Sequence, residues 1–425
     1  MVAARWFRQR RYMHFDEVLG SKKAHKLVTD PLAVARHAFW PMIQFSVSAA
    51  KLKLNKESGS LEKNSKTRDI LYAAHGDSQI FSYYCAILSD RYESTINSRG
   101  LADVVLAFRS LNKSNIEFAK DAFDEIQKRG DCCAIGLDVT KFFDNLDHGH
   151  LKHSWKSLLD VEGLPPDHFA VFKALTKYSF VKRDDVLEAL SISKYNPRNG
   201  RRRLCSTKDF DSKIRSAGKI HVNRENKGIA QGTAISALLS NIYMLDFDVA
   251  AQKFAADNGG RYVRYCDDIL FIMPQGMIED TTDFAVAKIK SLKLEINEQK
   301  TVSSEFRRST TQSTQTCCRP LQYLGFIFDG RQVTIRSAAF ARFSDRMKRG
   351  VSLAKQTMYR HNNNRRANGA KERGLYKKKI FARYSHLGRR NFLRYGYRAA
   401  KIMNSPAIKR QLRPLWKRLE RAIES

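Results

Sequence analysis

The chain has 425 residues, enough to bury one large or two ordinary hydrophobic cores, and its apolar and charged fractions (43% and 28%) are those of a folded protein. Its net charge of +33 exceeds what solubility requires and points to a polyanionic partner, nucleic acid first. The basic start MVAARWFRQRRYMHF lacks an apolar segment and no run of 18 apolar residues follows, so neither secretion nor a membrane span is expected.

The seven cysteines (Cys85, Cys132, Cys133, Cys205, Cys266, Cys317 and Cys318) form no Cys-x-x-Cys pair and no zinc-type Cys/His spacing. Their odd number fits a reducing cytosol, and the expected location is cytoplasmic.

In chain order, residues 1–65 mix basic and aromatic residues and close on KLKLNKESGSLEKNSK, which reads as a loop or linker. The segment from His37 to Phe45 is apolar enough to pack on a neighbour. From Thr67 the pattern turns regular: Arg68 opens a strand-like run, and Ile80, Tyr83, Tyr84, Ile87 and Leu88 form a helical stripe. A cation here holds a phosphate or is an ordinary surface charge.

The stretch CCAIGLDVTKFFDNLDH (132–148) contains a buried-type strand, Cys133 to Val139, with one acid, Asp138. A carboxylate in an apolar run costs several kcal/mol without a partner, so it faces a cation, caps a helix or pairs with Lys141. Asp147 is a candidate cap for a helix from His150 to Leu159. Residues 181–227, including Arg201-Arg202-Arg203, lack periodicity and read as a basic insertion. In GIAQGTAISALLSNIYMLDFD, the residues Gly228, Gln231, Gly232 and Ser236 form a loop entering a helix, with Leu238, Leu239, Ile242 and Leu245 as its buried stripe.

Apolar, β-branched and aromatic runs flank Asp267 and Asp268 in RYVRYCDDILFIM, which predicts a β-hairpin with both acids at its tip. Adjacent carboxylates there form a solvated acidic turn or bind a divalent cation or basic group. A helix over 279–292 follows, then a short strand in LKLEINEQKT ending near Lys300. LQYLGFIF (321–328) reads as a strand with Gly325 at its centre. Residues 341–425 hold 25 Lys and Arg against 4 Asp and Glu, a net +21 that leaves +12 for the rest. Leu353, Met358, Tyr376, Ile380, Phe381, Tyr384, Leu387, Phe392, Leu393, Tyr395, Ile402 and Leu415 recur there at near-helical intervals, predicting basic helices rather than a disordered tail.

Taken in order, GLDVTKFFDNLDH, GIAQGTAIS, YCDD, LEINEQKT and QYLGF resemble the palm of reverse transcriptases. The resemblance implies an α+β right-hand polymerase with an antiparallel palm sheet and a basic α-helical thumb. Its parts would be an N-terminal extension (1–65), fingers (66–130), palm (131–180 and 228–330), the insertion (181–227) and a thumb or C-terminal region (331–425). It implies two Mg²⁺ ions, with Mn²⁺ as a substitute, held by Asp138, Asp267, Asp268 and the Val139 carbonyl. By the same resemblance Phe143 is a sugar gate favouring dNTPs, Gln231 and Gly232 line the nascent base pair, and Arg68 with Lys66 binds the triphosphate. Lys300 protonates the leaving pyrophosphate, and Tyr265, Tyr323, Leu324 and Gly325 contact primer and template.

Within the family, Ala230 and Ala234 replace the prolines of intron-encoded enzymes and Thr233 their serine. Ala74-His75 and Val333-Thr334-Ile335 do not match the retron elements. The chain therefore resembles compact bacterial defence-associated reverse transcriptases, which implies a partner structured non-coding RNA as template and a cDNA product. The alternatives are a retron-like or group II intron-like reverse transcriptase, a catalytically silent RNA-binding protein with a palm fold, and a palm-type RNA polymerase.

Overall fold

A computed structural model describes residues 6–54, 61–308 and 315–425, and of the strand residues 49–66 the backbone alone. The strands, in chain order, are β1 (Met42–Leu54), β2 (Leu61–Tyr72), β3 (Cys132–Asp138), β4 (Ser179–Lys182), β5 (His221–Val222), β6 (Arg261–Tyr265), β7 (Asp268–Met273), β8 (Val302–Arg308), β9 (Gln315–Cys317), β10 (Leu321–Tyr323), β11 (Phe326–Phe328) and β12 (Val333–Ile335). They form sheets packed with helices, an α+β fold.

The central sheet has the order β6-β7-β3-β8-β9, with every neighbouring pair antiparallel. Cys133, Ile135 and Leu137 of β3 enter one apolar core, and Cys132 and Ala134 enter another. Being buried on both faces, the strand reads as a continuous apolar run rather than an alternation. In β7, Ile269, Phe271 and Met273 join the first core, and Leu270 and Ile272 the second. The strand period of two then puts Asp138 and Asp268, paired across the strands, on the second face. Phe123 of the helix Asn115–Arg129 and the β10–β11 residues Leu321, Phe326 and Phe328 belong to that same core. The helix begins at a capping box in which Ser114 and Glu117 satisfy each other's backbone groups.

The stretch expected as a loop before Thr67 is largely strand. β1 and β2 form a long antiparallel hairpin from Ile43–Tyr72 to Leu54–Leu61, with residues 55–60 outside the described part. Its Lys, Ser and Asn residues lack an apolar alternation, and that disguised it. β4 joins β1 in parallel, and β5 follows β4. Residues 181–227 are also folded. Val181, Val186, Leu187, Ile192, Leu204, Phe210 and Ile214 share a small core with Phe15 and Ile43, apolar residues too widely spaced to give a period.

Two further expectations are corrected. Residues 292–301 are no strand: Ile296 makes an isolated bridge to Val139, and Glu298–Lys300 is one 3-10 turn before β8. LQYLGFIF is two strands, because Leu324 and Gly325 both take positive φ (46° and 94°), the signature of a tight two-residue hairpin turn.

The basic C-terminal region is helical over Ser337–Ala367, Lys377–Tyr384, Phe392–Ile402, Pro406–Leu412 and Pro414–Glu424. Ile380, Leu393 and Leu415 are buried as the periodicity requires, whereas Leu353, Tyr376 and Leu387 are exposed. No helix among the described residues is long and apolar enough to cross a membrane.

Candidate active site

Asp138 ends β3 and Asp268 begins β7, directly opposite each other in register. Asp267 lies in the two-residue turn between β6 and β7, where Cys266 takes φ 60°. The Val139 N–H donates to the Asp267 carbonyl at 3.4 Å, so all three acids stand at one end of the sheet. Burial, then the neighbouring Asp267 and Asp138, pushes the Asp268 carboxyl up to about 6, with Lys300 and Arg336 opposing the shift.

Lys300 reaches this cluster through the backbone. The Asn297 N–H donates to the Asp138 carbonyl at 2.7 Å and the Thr140 N–H to that of Glu295 at 2.8 Å. The 3-10 turn then carries Lys300 Nζ onto Asp138 Oδ2. The partner of Asp138 is thus Lys300, not Lys141. Hard carboxylate oxygens that raise one another's proton affinity fit a divalent cation. Among the described residues no three acidic, His or Cys side chains form a ready-made cage.

The other expected residues follow along connected backbone. Phe143 is half-buried beside Phe142, and its carbonyl accepts from the Ile229 N–H at 3.0 Å. The Gln231 carbonyl then accepts from the Leu71 N–H at 2.8 Å, which ties the loop to β2. Gly232 takes φ 117°, and a Cβ there would lie 2.6 Å from the Leu71 carbonyl oxygen, so glycine is required. Ser236 Oγ closes the loop by donating to the Ala230 carbonyl at 2.5 Å. Arg68 is exposed on β2, three residues before Leu71. The Lys66 side chain lies outside the described residues.

Tyr265 pairs with Asp268 across β6 and β7. Tyr323 is 4% exposed with its hydroxyl unpaired, and burial followed by the charge of Asp268 raises its pKa. Its ring is therefore buried in the second core beneath the Leu324–Gly325 turn. The Leu324–Gly325 turn is partly exposed. Asn115 Nδ2 donates to the Leu324 carbonyl at 3.0 Å, and the Arg336 N–H to the Gly325 carbonyl at 3.2 Å.

A buried network missed in the sequence holds the acidic hairpin. Arg264 and Asp248 are both fully buried, joined at 2.7 Å (Nε–Oδ1) and 2.6 Å (Nη2–Oδ2). The Tyr262 hydroxyl donates to Asp248 Oδ1 at 2.7 Å. Arg264 Nη1 donates to Asn241 Oδ1 and to the Cys266 carbonyl, each at 3.1 Å, gripping the turn that carries Asp267. The signal was present: alternation puts Arg264 on the face of buried Tyr262, and Asp248 lies in the helical stripe with Leu245, Ala251 and Ala255. Arg336, one arginine among many in a basic stretch, carried no such signal.

A family model described as reverse transcriptase (RNA-dependent DNA polymerase) matches residues 172–328, which include Asp267, Asp268 and Lys300 and begin after Asp138. A search of curated proteins by sequence finds no match. Among solved structures, apo telomerase from Candida tropicalis truncated from its C-terminal domain is similar over 75% of this chain and 61% of that one, at 10% identity and TM-score 0.42. Telomerase from Candida albicans in complex with a TWJ fragment of telomeric RNA is similar over 75% and 51%, at 14% identity and TM-score 0.41. The RNA-dependent RNA polymerase of a human picorbirnavirus is similar over 68% and 43%, at 11% identity and TM-score 0.37. The chain thus spans less than two thirds of the length of each of these structures. The likeness to the reverse transcriptase family thus lies in residues 172–328, less than half of the chain.

Proposed function

We propose that the chain is an RNA-directed DNA polymerase that copies a partner structured non-coding RNA into cDNA, in the bacterial cytoplasm and in defence against phage. The observation that carries the polymerase reading is the register of β3 on β7, with Asp138 opposite Asp268 and beside Asp267. Asp138, Asp267, Asp268 and the Val139 carbonyl would hold two Mg²⁺ ions, or Mn²⁺ as a substitute, consistent with their all-oxygen donors. Bound there, the ions would supply a primer 3′-hydroxylate and charge stabilisation of the cleaved triphosphate.

The remaining work falls to the chain's own residues. Lys300, which neutralises Asp138, stands ready to give a proton to the departing pyrophosphate. The Phe143 ring excludes a ribose 2′-hydroxyl, while Gln231 and Gly232 line the new base pair. Arg68 and Lys66 bind triphosphate, and Tyr265 with the Leu324–Gly325 turn guides primer and template. The basic helices of residues 331–425 act as a thumb on duplex phosphates, with fingers before and palm around the sheet. The defence branch rests on Ala230, Thr233 and Ala234 and on the mismatch to retron elements.

Purified protein with Mg²⁺, a primed RNA and labelled dNTPs should extend the primer, and the double variant Asp267→Ala, Asp268→Ala should not. Unchanged extension by that variant would remove the metal assignment. Sequencing the RNA and DNA that copurify from phage-challenged cells tests the partner; recovery of unselected cellular RNA would overturn it.

A further inference from the structure

Two exposed apolar residues of the C-terminal region lie together. Leu353 and Tyr376, 64% and 61% exposed, line one cavity of about 840 Å³ between the helix Ser337–Ala367 and the segment that folds back along it to Tyr384. That segment is fastened by Asn362, 6% exposed, whose amide donates to the Arg373 carbonyl at 2.9 Å and accepts from the Arg373 N–H at 3.0 Å. Arg365 Nε adds a bond to the Lys371 carbonyl at 3.0 Å. The walls are therefore built from both sides of the fold rather than left by a loose loop.

The lining divides into two chemistries. Leu353, Ala354, Met358, Leu375 and Ile380 supply apolar surface, and Tyr376 an accessible ring. Arg365, Arg373, Lys379 and Arg383 stand among them, and among the described residues no acidic side chain lines the cavity. Glu372, the neighbouring acid, is engaged by Arg366 outside it. A duplex offers only phosphates and sugars to such a surface, because its bases are stacked inward, and would leave the apolar walls unused. A free anion would likewise have no use for them. An unpaired nucleotide matches both halves: a flat base for the ring and aliphatic walls, a phosphate for the cations. The volume lies within the roughly 300–1,000 Å³ typical of ligand pockets.

We propose that this cavity captures an unpaired nucleotide of single-stranded RNA, separately from the polymerase cleft. The choice of RNA rests on the reading of the chain as an RNA-directed polymerase, whose template is present before any DNA product. Asn364 and Asn368 on the rim offer donors and acceptors to a base edge or a 2′-hydroxyl.

The test uses the full chain without dNTPs or divalent ions, so that it stands apart from polymerisation. Binding is measured by fluorescence anisotropy to an unstructured single-stranded RNA, a DNA of the same sequence and a blunt RNA–DNA duplex of equal length. Thr357→Trp fills the cavity from an exposed position without changing charge, and Tyr376→Ala removes its aromatic wall. Each should weaken single-stranded RNA binding about tenfold while duplex binding moves less than about twofold. Parallel losses on RNA and duplex, or no loss on either, overturn the proposal. Equal losses on single-stranded RNA and DNA overturn the assignment to RNA. Primer extension by the wild-type chain is scored separately: its failure removes the polymerase reading, whereas an unchanged RNA-to-duplex ratio with extension intact removes the cavity.

Discussion

Replacing Asp248 by Ala should separate what the buried ion pair does for stability from what it does for the acidic hairpin. Asp248 accepts from Arg264 at 2.6 and 2.7 Å and from the Tyr262 hydroxyl at 2.7 Å, and neither charged side chain is exposed. Removing one partner of such a pair leaves the other charge buried, at a cost of about 3–5 kcal/mol. That is a fifth or more of the roughly 5–15 kcal/mol that holds most folded domains together. A second variant, Asp248→Leu with Arg264→Met, removes both charges and fills the space with aliphatic atoms. Such replacements are often neutral for the pair itself, but the buried Tyr262 hydroxyl loses its acceptor at a cost of about 1–3 kcal/mol, so stability should recover well above the single variant without fully reaching wild type. It still lacks the Arg264 bond to the Cys266 carbonyl, and the turn bearing Asp267 loses that anchor. Since about 1 Å of misplacement can cost 10²-fold in rate, the double variant should extend a primer about 10- to 100-fold more slowly despite its partly recovered stability. Urea unfolding and single-turnover primer extension read the two effects. A single variant losing less than about 1 kcal/mol, or a double variant extending at the wild-type rate, would refute the anchoring role.

Phe143→Ala should admit rNTPs in a primer-extension assay; unaltered sugar selectivity would move the gate elsewhere. Neutralising Lys377, Lys378, Arg389 and Arg390 should weaken RNA binding and flatten its salt dependence by about 0.7 in log–log slope for each RNA phosphate that goes without its cation. An equal slope would mean that these helices serve another surface. The Asp268 carboxyl, raised from 3.8 to about 6, gives a stability signature with a fixed sign. Well below pH 3.8 both folded and unfolded states are protonated and the group costs nothing; between 3.8 and about 6 the unfolded state ionises while the folded state keeps its proton, so the cost grows, and above 6 it stays constant. In chelator, Asp268→Asn should therefore melt above wild type at pH 7.5, keep part of that gap at pH 5 and lose it only below about pH 4, with Mg²⁺ narrowing it at the higher pH. A gap independent of pH would refute this reading.

What the sequence made legible follows from burial. β3 and β7 are covered on both faces, so their apolar runs stand out, and an acid ending one run and a pair of acids before the other are conspicuous there. The helix after Asp147 and the stripe at Leu238, Leu239, Ile242 and Leu245 were legible for the same reason. Where polar residues carry regular structure the signal failed: the β1–β2 hairpin and the core shared by residues 181–214 with Phe15 and Ile43. Backbone events failed as well, since nothing in LEINEQKT distinguishes a strand from a bridge and a 3-10 turn.

The difference at LEINEQKT bears on function. A regular strand running through residues 292–301 would alternate its side chains between the two faces of the sheet, with no reason for the one at position 300 to meet the end of β3. The lone bridge at Ile296 and the turn over Glu298–Lys300 instead bend the chain around the Asp138 carbonyl, and Lys300 Nζ arrives on the carboxylate of the same residue. The Leu324–Gly325 turn works in the same way. Its carbonyls are taken by Asn115 and the Arg336 N–H, so the hairpin sits between the helix Asn115–Arg129 and the root of the basic helices, with the Tyr323 ring buried in the second core. The three acids are set by strand register, whereas the groups that balance their charge are delivered by irregular backbone. Register is written in apolar periodicity and irregular turns are not, so the acids were readable from the sequence and their surroundings were not.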